Sequence, residues 1–67
     1  MDAQQIARFI DEVATLAVQG EIALSDASAL NRALWNLARA NGCRDEVTVL
    51  LQEAAMAEIN ALPMSVS

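Results

Sequence analysis

Three observations predict an all-α fold, a compact three-helix bundle forming a single domain over residues 1–67. Apolar residues recur at helical spacing along most of the chain. The apolar fraction of 55% is rich in Ala and Leu, both strong helix formers. Only Gly20, Gly42 and Pro63 interrupt it, each where a periodic segment ends. The helices are expected near residues 2–19, 25–41 and 45–62, with a loose tail over 63–67.

Asp2 followed by Gln5 has the spacing of a capping box. From there Ala3, Ile6, Phe9, Ile10, Val13, Leu16 and Ala17 form one stripe, expected to face the core. The other face carries Arg8, Asp11, Glu12 and Thr15 among glutamines. Asp11 and Glu12 are neighbours whose side chains diverge on a helix, which suits a solvated or acidic docking face and not an acid/base or metal pair. Gly20 ends the first helix, and Ile22 and Leu24 in the short connection are expected to tuck inward, leaving helices one and two adjacent.

Ser25 is the expected cap of the second helix, with Asp26 in its first turn and Leu24 as a hydrophobic staple. Ala27, Leu30, Ala33, Leu34, Leu37 and Ala38 share the expected core face, and Asn41-Gly42 closes the helix. Trp35 falls off that face, beside Ser28, Asn31 and Arg39. Arg32 and Arg39 are one turn away on either side, within reach of cation–π contact worth about 0.5–1 kcal/mol at an exposed site. Two readings stand for Trp35: cover by its own chain, with Met64 or Val66 as candidates, or a partner surface, where Trp and Arg are enriched.

Asp45 and Glu46 stand at the positive end of the third helix, which Pro63 stops. Val47, Leu50, Leu51, Ala54, Ala55 and Leu62 make its core face, with Glu58 inside that arc, either at a water-accessible helix end or half-buried against an arginine. Val49 and Met56 lie on the reverse, a narrow apolar strip flanked by Glu46 and Glu53. Such a strip is open to the tail, a second copy or a foreign partner.

At 67 residues the chain is near the size where roughly 60% of the unfolded surface is buried and stability is marginal. Nine acids against four arginines, with no lysine or histidine, leave a net charge of −5. That balance disfavours direct nucleic-acid binding and suits a basic protein partner. The missing His, Lys and Tyr remove the usual bases, nucleophiles and zinc ligands, so no enzyme, metal or cofactor is expected. One cysteine, Cys43, excludes an internal disulfide and reads as a small packed thiol. With no signal-like or membrane-length apolar run, no membrane association and a cytoplasmic location are expected.

In size, acidity, helicity and lack of catalytic groups the chain resembles, in kind and without a shared motif, small acidic phage-encoded inhibitors such as anti-CRISPR proteins. That resemblance implies a non-enzymatic inhibitor working in a bacterial host cytoplasm, one that occludes the nucleic-acid-binding surface of a protein complex. The partner-binding candidates are the carboxylates of Asp11, Glu12, Glu46 and Glu53, the apolar anchors Trp35, Val49 and Met56, and the flanking Arg32 and Arg39. The competing reading is a structural or regulatory module, a monomer or a homodimer burying Val49, Met56 and Trp35. A small DNA-binding regulator using Arg32 and Arg39 is a minor option.

Overall fold

Residues 1–61, those described in the computed structural model, form three helices: α1 (Ala3–Val18), α2 (Leu24–Ala40) and α3 (Arg44–Ala61). They pack as an all-α three-helix bundle. The expected roles of Leu62, Pro63, Met64 and Val66 lie outside the described residues.

The capping box of α1 is present. The Gln5 N–H donates to Asp2 Oδ1 at 2.8 Å, and the Asp2 N–H donates back to Gln5 Oε1 at 3.2 Å. Both inter-helix turns are Schellman motifs. After α1, Gly20 N–H donates to the Ala17 carbonyl and Glu21 N–H to that of Leu16; after α2, Gly42 and Cys43 repeat the pattern on Arg39 and Ala38. Gly20 and Gly42 have φ of 77° and 70°, the left-handed conformation the motif needs. In the second motif the Cys43 side chain packs half-buried on the cluster that contains Ala38, the usual hydrophobic contact of such a turn.

Helix α2 starts two residues earlier than a Ser25 cap would place it. Ala23 is the N-cap, with no side-chain bond, and the Ala27 N–H donates to its carbonyl at 2.9 Å. Ser25 therefore sits inside the first turn, because carrying the backbone ladder back to Ala23 satisfies the Ala27 donor without a hydroxyl. Ile22 is half-buried as expected, but Leu24 is 79% exposed and staples nothing.

The chain runs up, down, up. Glu46 and Leu50 of α3 border Asp2, Ala3 and Gln4 at the start of α1, while Glu58 borders Ala14, Thr15 and Gln19 near its end, so α3 is parallel to α1. Helix α1 is the hub, since α2 and α3 touch it far more than they touch each other. The core is Ala3, Ile6, Ala7, Ile10, Ala38 and Val47, with Leu34, Trp35, Cys43, Leu50 and Leu51 packed against it. Ile6 and Val47 are the large side chains that lose all contact with solvent.

Two expected core faces are rotated. On α1 the buried line is Ala3, Ile6, Ala7 and Ile10, with Phe9 and Leu16 exposed on one edge. On α2 it is Ala27 and Ala38 with half-buried Leu34 and Trp35, so Leu30 and Leu37 are exposed on the far edge. The cause is the indole. Turning α2 to bring Trp35 onto the core buries a larger apolar area than either leucine supplies, and the alanines at positions 27 and 38 allow close approach.

Candidate functional site

The outer face of α3 follows from its spacing. Val47, Leu50 and Leu51 hold one side of the helix against α1, and Val49 and Met56 emerge exposed on the other. Ile59, one turn beyond Met56, extends the strip and is also exposed. Glu46 and Glu53 are exposed and stand one helical turn from Val49 and Met56, so the expected acidic border of the strip is present. Ile59 was legible from its i+3 spacing to Met56, and the two-residue pattern at 49 and 56 stopped short of it.

The remaining carboxylates fall along the seam between α1 and α3. Asp11 is exposed and borders the crevice that holds Glu58; Glu46 borders Asp2. Glu12 lies outward of Asp11, beside Thr15 and Leu16. Glu58 is exposed, as a water-accessible position requires. Thus Asp11 and Glu12 border different crevices from Glu46, and the carboxylates do not converge on one spot. Helices α1 and α3 with the Asp2 cap carry seven of the nine carboxylates and two of the four arginines, which is the whole net charge of −5. On α2 and the turn before it, Glu21 and Asp26 cancel Arg32 and Arg39. Among the described residues no three Asp, Glu or Cys side chains come together in a metal-binding group.

Trp35 lies elsewhere. It is half-buried, packed on the core at the junction of α2 and α3, and its open edge lines a cleft with Arg39, Arg44 and Thr48. The Arg39 Nη2 donates to Asn36 Oδ1 at 2.7 Å, which holds the guanidinium on the helix surface, and Thr48 Oγ1 donates to the Arg44 carbonyl at 3.0 Å. Arg32 is exposed and is not among the residues that line this cleft, to which α3 contributes Arg44. Arg44 belongs to α3, and no periodicity within α2 could reveal it.

An apolar groove opens where α1 ends, lined by Val13, Ala17 and Val18 of α1 and by Leu24 and Ala27 of α2. Among the described residues no helix is long and apolar enough to cross a membrane. No protein-family model, curated protein or solved structure matches the chain.

Proposed function

We propose that this protein is a small non-enzymatic binding protein that occludes a basic surface of a protein partner, a nucleic-acid-binding groove being the commonest surface of that kind, in the manner of anti-CRISPR inhibitors. One observation carries the reading: the exposed strip of Val49, Met56 and Ile59 is bordered by Glu46 and Glu53 on α3, and α1 and α3 with the Asp2 cap together carry the entire net charge. Carboxylates spread over these helices steer a basic partner from a distance and set its orientation. The strip supplies the dry contact that holds it, with Met56 as an adaptable anchor. Trp35, already packed on the core, is not needed as an anchor. Its cleft with Arg39 and Arg44 would instead serve the minor DNA-binding option.

The test is an electrophoretic mobility assay with a panel of CRISPR effector complexes and labelled target DNA. The protein is expected to prevent one complex from shifting DNA and to leave free DNA unshifted. The combined variant Asp11→Asn, Glu12→Gln, Glu46→Gln and Glu53→Gln should keep its helical circular dichroism and weaken inhibition by at least about tenfold at low salt. Full inhibition by that variant would overturn the electrostatic reading, and retardation of DNA by the protein alone would favour the Arg39–Arg44 cleft.

A further inference from the structure

Arginine is the only basic side chain in this sequence, and two of its four copies, Arg39 and Arg44, line one cleft with Trp35 and Thr48. No acid lines that cleft, although the chain has nine. The crevices along α1 are the opposite: they hold Asp11 with Glu12, Asp2 with Glu46, and Asp11 with Glu58. Asp45 is exposed and outside the lining, and Glu46, on the same helix as Arg44, borders the start of α1 instead. The cleft is therefore a cationic spot on an acidic chain.

Its parts are held in place before anything enters. Trp35 is half-buried and packed on the core, so the indole is a fixed wall. Arg39 and Arg44 flank the turn between α2 and α3, which is pinned on both sides: Gly42 N–H donates to the Arg39 carbonyl at 3.0 Å, and Val47 N–H to that of Cys43 at 2.9 Å. The Arg39 guanidinium is fastened to Asn36 Oδ1, a bond that uses a single N–H of a fork carrying several. The Thr48 hydroxyl proton goes to the Arg44 carbonyl, so the donors the lining side chains can offer a ligand are the guanidinium and indole N–H groups. Fixed cationic donors beside an aromatic wall suit an anion with an aromatic body, and fixing them in advance lowers the cost of binding. The volume of about 440 Å³ is that of a small-molecule site.

We infer that this cleft binds a small organic phosphate, a phosphomonoester carried on a flat aromatic body of nucleoside size. Two guanidinium groups match the phosphomonoester charge of about −1.5 to −2 at pH 7, and their planar forks fit its oxygens. The aromatic body packs against the indole. A nucleic-acid strand with a phosphorylated end presents the same groups, but its remaining phosphates meet a chain of net charge −5 with few cations to neutralise them. The site shares no residue with the strip of Val49, Met56 and Ile59 and does not rest on the inhibitor reading.

Trp35 is the only indole and the chain has no tyrosine, so its fluorescence and its side-chain N–H resonance report on this cleft alone. Titrating the full chain with adenosine 5′-monophosphate should move the indole resonance saturably, with a dissociation constant below about 1 mM. Phenyl phosphate should quench the fluorescence in the same way. Inorganic phosphate, which lacks the ring, and adenosine, which lacks the phosphate, should each bind at least about tenfold more weakly. Arg39→Gln and Arg44→Gln should each weaken the nucleotide by at least about tenfold, and Arg32→Gln, outside the cleft, should leave it unchanged. All three side chains are exposed, so the variants should keep their helical circular dichroism. Absence of saturation by about 1 mM would overturn the inference, as would an equal loss with Arg32→Gln. Inorganic phosphate binding as tightly as the nucleotide would overturn the role given to the indole. A 5′-phosphorylated oligonucleotide that binds more tightly than the mononucleotide, and weakens steeply with salt, would overturn the small ligand and give the cleft to nucleic acid.

Discussion

At the end of the bundle where α1 begins, three helices converge on Ile6 and Val47, and neither side chain touches water. At the end where α1 finishes, Val18 is 89% and Leu24 79% exposed, and every residue of α3 from Gln52 to Ala61 is exposed. Both ends draw on the same residue types. They differ in what the third helix brings: Val47, Leu50 and Leu51 at the closed end, and at the open end mostly alanines with Glu58 on the same side of the helix. An alanine removes little surface from water, and a carboxylate beside Asp11 keeps the seam wet. Burial therefore depends on three helices each delivering a large side chain to one point, and an amphipathic stripe on each helix does not ensure it.

Ile6→Ala is the substitution that should break the contrast most strongly. It opens a cavity at the closed end and should cost about 2–5 kcal/mol, measured by urea unfolding. For a chain of this size such a loss approaches the whole stability. Gly42→Ala should cost about 1–2 kcal/mol. A Cβ there meets nothing within 4 Å, but the φ of 70° is strained for any L side chain. Because that turn delivers Cys43 and Val47 to the core, Gly42→Ala should be felt more than the equivalent change at Gly20, which leads to the open end. Equal losses at the two glycines would blur the distinction between the ends. The smallest effect should be that of Leu24→Ala, within about 0.5 kcal/mol, since the side chain is already in water. A loss above about 2 kcal/mol, within the range for truncating a buried leucine, would show that the open end is covered in solution.

Much of the local structure was legible in the residues. The capping box of Asp2 and Gln5, the glycine stops at positions 20 and 42, the three helices and the outward placement of Val49 and Met56 all follow from short-range spacing. The rotation of α1 and α2 was not legible, because an apolar stripe wider than the available contact can be turned either way. Trp35 turned α2, moving Leu30 and Leu37 outward. The candidate acidic side was legible residue by residue, but its spread along the α1/α3 seam depends on α3 running parallel to α1. The cleft lined by Trp35, Arg39 and Arg44 likewise joins two helices.

By itself, the sequence determined helix content, helix ends and charge, because propensity, capping and turn chemistry act over a few residues and need no partner helix. Only the tertiary structure decided which edge of each stripe was buried, that α1 is the hub, and that Asp11, Glu46 and Glu58 border the α1/α3 seam while Leu30 and Leu37 stay exposed. Those outcomes depend on competition for a limited contact area among three helices. The bulk of one indole and the closeness that alanines permit settled that competition.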